Sequence, residues 1–309
     1  MPGVSIIIVN WNARDPLHNC LKSIYEYSGE EDYEIIVVDN ASTDGSVEMV
    51  KKAWPGVILA ENPENVGFAR ANNIGIRQST GQYVCLANSD VTVLGGCIGN
   101  LVEFMDRNPR VGMAGARILN PDLTLQPSCR HFPTIWNNLC QTLALNHLFP
   151  KSRFFSGPFM NYWPHDEVRK VDVISGCFWM VRRKAIEEVG LLDEDFFLYG
   201  EDIDWCRRFH ATGWDVIFYP GVEVIHVGGA SSSNAPIKFY IEMKRADLQY
   251  WRKHHGRVGK SGYMVVTLLN NALRVVARTL QYVFCPPTRE TARFKLRRSL
   301  AYIRWVFRF

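Results

Sequence analysis

The sequence predicts an α/β fold: a Rossmann-like, mostly parallel sheet flanked by helices, with a helical, basic amphipathic extension at the C-terminus. Three observations carry this expectation. Continuous β-branched runs such as VSIIIV (Val4–Val9) and YEIIVVD (Tyr33–Asp39) suit strands buried on both faces. Segments with helical apolar spacing alternate with such runs from residue 4 to about 116, the pattern of a parallel sheet covered by helices. Beyond residue 235 the charge balance reverses, with 16 Lys and Arg against 3 Asp and Glu, whereas the remainder carries 19 against 28. A neutral-to-acidic body with a basic tail suggests an anionic surface as the tail's partner.

After the first strand, a helix from about Pro16 to Tyr27 places Leu17, Cys20, Leu21 and Ile24 on one face. Following the second strand, Ser42 or Thr43 is expected to cap a helix running to about Ala53. GVILAE makes a third strand, Gly67 to Gln78 a third helix, and YVCLAN (Tyr83–Asn88) a fourth strand. Asn120 to Asp166 is rich in Pro, Asn and aromatics and reads as long loops with some helix. VDVISGCFWMVRR (Val171–Arg183) is strand-like, and a helix (Lys184–Val189), the stretch FLYGEDIDWCRR (Phe197–Arg208) and a strand WDVIFYP (Trp214–Pro220) follow. VEVIHVGG (Val222–Gly229) closes the body, and SSSNAP (Ser231–Pro236) reads as a polar hinge. The expected division is a body of residues 1–234, with halves of about 1–116 and 117–234, and an extension of residues 235–309.

With 309 residues, 47% apolar and 21% charged, the chain can bury a full core. Its eight cysteines are scattered without a CxxC pair, which excludes a zinc knuckle or redox motif and suits reduced, buried thiols of a cytosolic protein. No signal-like segment and no run of 18 apolar residues is present, so no transmembrane helix is expected.

The first strand–helix turn reads VNWNARDP. It lacks the glycines of a dinucleotide-binding turn, which removes that reading. Asp39, closing the second strand, either accepts hydrogen bonds from a base or ribose or caps a turn, at even odds. ENVGFARANNIG (Glu64–Gly75) suits either a phosphate-bearing ligand or a helix with polar caps. LANSD puts Asp90 at the carboxyl edge of a buried sheet, where a carboxylate can hold a hard divalent cation or simply make a turn. His226, at the end of an alternating strand, is by itself more often structural than a ligand. FLYGEDIDWCRR brings three acids into four positions, as surface helix caps or with one of them a catalytic base.

In order and spacing, SIIIVNWN, VVDNASTDGS, NxGFAxxNNxG (Asn65–Gly75), LANSD, SGCFWMVRR, FFLYGEDIDWCRR and the histidine of VIHVGG resemble glycosyltransferase family 2, the large inverting family with a GT-A fold, and its rhamnosyltransferase-like branch. The resemblance covers about residues 3 to 255. It implies that Asp39 contacts the nucleobase of a nucleoside-diphosphate sugar and that the turn through Val9, Asn10 and Asn12 lines the nucleoside pocket. It places Asn65, Gly67, Arg70, Asn73, Asn88 and Ser89 around the same donor. Asp90 and His226 would hold Mg²⁺ or Mn²⁺, although Asn88 stands where the family's motif has its first acid. Asp202 would be the general base, Glu201 would orient the acceptor, and Asp204 would have a helix-start or ion-pair role. Ser175, Gly176 and Trp179 would lie under the acceptor, with Trp179 stacked on a sugar face or, equally, packed in the core.

The implied reaction moves a sugar, L-rhamnose from dTDP-L-rhamnose or a hexose from its UDP form, onto a cell-surface glycan or lipid-linked precursor. Two other classes compete with this reading. A nucleotidyltransferase needs a glycine-rich loop that VNWNARDP lacks, and a non-catalytic scaffold is disfavoured by the presence of Asp90 and Asp202.

The tail adds a partner. Met264 to Phe284 is apolar with Thr267, Asn270, Asn271, Arg274, Arg278 and Gln281 recurring at helical steps; Cys285-Pro286-Pro287 breaks it. A second helix from about Thr288 carries Arg289, Arg293, Arg297, Arg304 and Arg308. A basic amphipathic helix with aromatics points to an anionic membrane surface, and so to a protein peripheral on the cytoplasmic face. The alternative is helices docked on the catalytic body or on a second subunit in a homodimer. No nucleic-acid-binding module is recognisable, and nucleic acid is not an expected partner.

Overall fold

The computed structural model describes residues 3–27, 32–160, 162–228 and 235–307. In chain order the elements are β1 (Val4–Asn10), α1 (Arg14–Tyr27), β2 (Tyr33–Asp39), α2 (Ser46–Ala53), β3 (Ile58–Glu61), α3 (Phe68–Gln78), β4 (Tyr83–Asn88), β5 (Val91–Val93) and α4 (Cys97–Arg107). Then come β6 (Val111–Leu119), β7 (Cys129–Arg130), α5 (Ile135–Thr142), α6 (Leu145–Leu148), β8 (Arg169–Lys170), β9 (Val173–Ile174), β10 (Phe178–Arg182) and α7 (Arg183–Val189). Last are α8 (Glu201–Ala211), β11 (Asp215–His226), α9 (Pro236–Phe284) and α10 (Arg289–Val306). The chain forms two compact units, residues 1–132 with 164–233, and residues 133–163 with 234–309.

The first unit is built on a nine-stranded sheet in the order β3-β2-β1-β4-β10-β6-β11-β5, with β8 also on β11. Its β3-β2-β1-β4 half is parallel throughout, as the β-branched runs predict. In the other half β10 inserts antiparallel between β4 and β6, while β6 and β11 run parallel. Register places Asn10 beside Asp39 and Val9 beside Asn88, so the ends of β1, β2 and β4 form one edge. The predicted apolar face of α1 (Leu17, Cys20, Leu21, Ile24) is fully buried against Ile6, Ile8, Ile35 and Cys85. Seven cysteines are buried as free thiols and Cys285 is exposed.

Three local expectations need correction. Ser42 and Thr43 do not cap α2, which starts at Ser46 behind Gly45 (φ 82°) without a side-chain cap bond. Both residues are engaged by the β1–α1 turn instead: Ser42 Oγ accepts from the Asn12 amide (2.9 Å), and the Thr43 amide donates to Asn12 Oδ1 (2.7 Å). Val171–Arg183 is two short strands, because Ser175-Gly176-Cys177 leaves the sheet between β9, which pairs with β7, and β10. The two expected strands, Trp214–Pro220 and the one opening at Val222, are a single strand, β11 (Asp215–His226), whose register on β6 shifts between Tyr219 and Glu223. Pro220 sits in that irregularity, where a residue without an N–H is tolerated. The hinge residues 231–234 lie outside the described residues.

In the second unit α5 and α6 accompany α9 and α10. A capping box of Thr134 and Asn137 starts α5, and Asn270 Nδ2 of α9 donates to Thr142 Oγ1 (3.1 Å). The 49-residue α9 leaves helical geometry at Gly256 (φ 65°, ψ −164°), a conformation open to glycine. As expected, Cys285 ends it and the Pro286–Thr288 turn leads into α10. Among the described residues no helix is long and apolar enough to cross a membrane.

Candidate active site

At the ends of β1 and β2, two turns are laced together. Asp39 is buried; Asn10 Nδ2 donates to its Oδ1 (2.9 Å) and the Ser42 amide to its Oδ2 (2.8 Å). Asp39 therefore makes the Asx-type turn, and its carboxylate keeps lone pairs for a second donor. Asn12 holds a left-handed backbone (φ 50°) from which its side chain reaches the neighbouring turn. Asn10 Oδ1 is buried with no protein partner among the described residues.

The segment Asn65–Gly75 packs against the loop that leads into α8. The Phe68 amide at the start of α3 donates to the Phe197 carbonyl (2.7 Å), and the Gly67 amide to Asn65 Oδ1 (3.0 Å). Gly67 (φ 87°) is required, since a Cβ there would meet the Phe197 carbonyl oxygen at 2.5 Å. Buried Asn73 donates to the Leu192 carbonyl (2.8 Å) and to Glu194 Oε1 (3.0 Å), and accepts from the Leu192 amide (3.0 Å). Arg77 and, at 3.7 Å, Arg70 pair with the same glutamate. The bond from Asn73 and the Arg77 charge hold Glu194 below its usual carboxylate range. These groups brace the loop leading into α8, and the Gly67 and Phe68 amides at the start of α3 are used within that brace.

Asp90, His226 and Asn88 meet where β4 and β11 end. Asp90 Oδ2 accepts from the Gly228 amide (3.0 Å), and its Oδ1 faces His226 Nε2 at 3.3 Å. Asn88 Nδ2 also stands 3.3 Å from Nε2, while Asn88 Oδ1 is buried without a partner among the described residues. Hydrogen-bond direction fixes the imidazole. Gln126 Nε2 donates to Asn120 Oδ1 (2.9 Å) and to the His226 carbonyl (3.1 Å), so its Oε1 must accept from His226 Nδ1 (2.7 Å). Nε2 then accepts from Asn88 Nδ2, with Asp90 Oδ1 beside it at 3.3 Å. One carboxylate, one imidazole and one amide oxygen fit Mg²⁺ or Mn²⁺ only with a substrate diphosphate adding negative charge. Among the described residues no three His, Cys, Asp or Glu cluster as a metal site would require.

The acid pair opens α8. Glu201 and Asp202 are both buried. Asp202 Oδ2 is bound by Arg130 of β7, which the β7–β9 pairing brings under the helix. Burial, and then the neighbouring Asp202 charge, push Glu201 up to about 8, and its Oε2 has no partner among the described residues. Its environment thus favours the protonated acid, a form able to donate a hydrogen bond. Asp204 is fully buried in an ion pair with Arg208 (2.9 Å), the ion-pair role expected of it.

Cys177 links the two corners. Burial pushes its thiol up to about 12, with Asp90 and Asp202 both adding to the rise. Its carbonyl accepts from the Asn88 amide (2.9 Å), and a Cβ on Gly176 would stand 3.6 Å from Asp202 Cβ. Gly176 and Ser175 therefore lie at the site, Ser175 tied to the Ser128 carbonyl (2.8 Å). Trp179 is a correction: it is fully buried, donates to the Ile174 carbonyl (3.3 Å) and packs on Trp205, so it offers no face to a sugar. Arg130 and Gln126 were missed in the sequence, where PSCRHFP and the loop before it carry no local signal.

Comparison with known proteins agrees with this architecture. The family profile of glycosyl transferase family 2 matches residues 5–190. An N-acetylglucosaminyl-diphospho-decaprenol L-rhamnosyltransferase of Mycobacterium tuberculosis is 29% identical over 242 residues, covering 75% of this chain and 78% of that protein. A mannosyltransferase from Pyrobaculum calidifontis, solved with GDP-Man and Mn²⁺, superposes with a TM-score of 0.56 at 17% identity, covering 98% of this chain and 85% of the other. GalNAc-T7, solved with UDP, GalNAc and Mn²⁺, gives 0.57 at 17% identity, over 84% of this chain and 51% of the other.

Proposed function

Because this chain belongs to glycosyl transferase family 2, we propose that it is an inverting transferase moving L-rhamnose from dTDP-L-rhamnose to a cell-surface glycan or its lipid-linked precursor. The observation that carries the reading is the buried Glu201–Asp202 pair at the start of α8, joined through the Ser175–Cys177 loop to Asp90. Two carboxylate functions from separate elements meet at one sheet edge, one for the acceptor and one for the donor. The rhamnosyl donor and prenyl-linked acceptor are suggested by the Mycobacterium tuberculosis relative.

In this reading Asp202 takes the proton of the acceptor hydroxyl as that oxygen attacks the anomeric carbon from the side opposite the leaving nucleotide. Arg130 holds the Asp202 carboxylate in place, and neutral Glu201 donates its O–H to an acceptor oxygen. Asp39 accepts a hydrogen bond from the nucleobase. Mg²⁺ or Mn²⁺ held by Asp90, His226 and Asn88 would offset the charge that develops on the departing diphosphate. Calorimetry with dTDP and with UDP, each with and without Mn²⁺, tests the reading, followed by a donor screen for nucleotide release. Binding of dTDP is expected, and binding of neither nucleotide overturns it.

Gln126 gives a separate test. Gln126→Ala is expected to weaken Mn²⁺ binding in the presence of dTDP by about 10–100-fold, the usual effect of removing a ligand's hydrogen-bond partner. Gln126→Glu keeps an acceptor for His226 Nδ1 and is expected to retain most of the affinity. Electron paramagnetic resonance of bound Mn²⁺ reads both.

A further inference from the structure

Where they pack together, the later part of α9 and α10 bury polar side chains. Thr267 and Asn271 of α9 and Ser299 and Tyr302 of α10 are buried. Thr267 Oγ1 and Tyr302 Oη lie 2.6 Å apart, and Tyr240 Oη donates to Asn271 Oδ1 (3.3 Å). Arg298 stacks 4.7 Å above the Tyr240 ring, and Arg274 is half-buried on the same polar side. The polar positions that mark α9 as amphipathic therefore face inward. The aliphatic ones face out: Val265, Leu269, Leu273, Val276, Leu280 and Val283 are each 44–63% exposed.

At 100° per residue these six positions fall within an arc of about 80°, and at 1.5 Å per residue the stripe is about 27 Å long. Tyr263 to Phe284 contains no acid, and its two cations, Arg274 and Arg278, lie away from the stripe. A contiguous apolar face of this kind marks a contact surface.

We propose that this α9 stripe seats the protein on an anionic phospholipid bilayer, lying in the interfacial plane, with the arginines of α10 drawing it to the headgroups. Two features favour lipid over a second copy. The six side chains, each only 44–63% exposed, present roughly 500 Å² of accessible surface, below the ~800 Å² per side of a stable protein interface. Two copies would also bring together tails that each carry 16 Lys and Arg against 3 Asp and Glu. Those same charges suit an anionic surface, and Arg289, Arg293, Arg297 and Arg304 are all exposed. The proposal goes beyond the transferase reading and does not depend on the donor.

The test is co-sedimentation of the full chain with phosphatidylglycerol vesicles and with pure phosphatidylcholine vesicles. The wild type is expected to bind the first and not the second. The triple variant Leu269→Ser, Leu273→Ser, Leu280→Ser is expected to lose at least ten-fold in vesicle affinity. Because all three side chains are exposed, its circular dichroism and dTDP binding should be unchanged. Replacing Arg289, Arg293 and Arg297 by Gln is expected to weaken binding and flatten its salt dependence. Equal vesicle binding by the serine variant, no binding by the wild type, or a dimer in sedimentation equilibrium that the serine variant dissociates would each overturn the proposal. Loss of dTDP binding by the wild type would sink the transferase reading and leave the vesicle result standing.

Discussion

Asp202→Asn is expected to lower kcat by about 10²–10⁴-fold, the range a general base supplies, while leaving dTDP affinity nearly intact. The amide keeps the size of the carboxylate but cannot take the acceptor's proton. The control is its neighbour. Burial favours the protonated form of Glu201, which Glu201→Gln replaces by a neutral amide of the same shape, so this variant should keep near-wild-type turnover. If Glu201→Gln abolishes turnover and Asp202→Asn does not, the roles are reversed.

Stability distinguishes the two acids again. Between 4.5 and about 8 the folded chain retains the Glu201 proton that the unfolded chain releases, so folding binds more protons and stability falls as pH rises through that window. Gln has no such proton. The variant should gain on the wild type by up to about 1.4 kcal/mol per pH unit across the window, measured by chemical denaturation at several pH values.

Arg130→Ala is the second large effect. It leaves the buried Asp202 carboxylate without its guanidinium. Removing one partner of a buried ion pair costs about 3–5 kcal/mol of stability. Turnover should also fall about 10²-fold as the carboxylate loses its alignment. Arg130→Lys restores the charge but not the planar fork and should recover part of both. Unchanged kcat in Arg130→Ala would show that the pair is a structural tie and not a positioning contact.

The sheet and its helices were legible because burial on both faces leaves a continuous apolar run: Val4–Asn10, Tyr33–Asp39 and Tyr83–Asn88 all read as strands. Asp90, His226 and the acids of α8 were legible as side chains at the ends of such elements. Their partners were not. Arg130 reaches Asp202 across 72 positions through a two-residue ribbon, and Gln126 reaches His226 across 100. Neither pairing leaves a periodic trace. Ser42 and Thr43 misled because the same hydroxyls that cap helices also bond to a neighbouring turn. Trp179 misled because an indole suits a sugar face and a core equally well until its burial is known.

The brace between α3 and the loop before α8 bears on how this protein can be recombined. A chimera cut near residue 116 would take Asn65–Gln78 from one parent and 191–198 from the other. Yet the backbone of Gly67 and Phe68 meets Phe197, and the Asn73 side chain bonds the Leu192 backbone in both directions, contacts that tolerate no change of spacing. The two stretches behave as one inherited unit. Exchanging acceptor preference between relatives therefore calls for moving 65–78 and 191–198 together, with the crossover placed elsewhere.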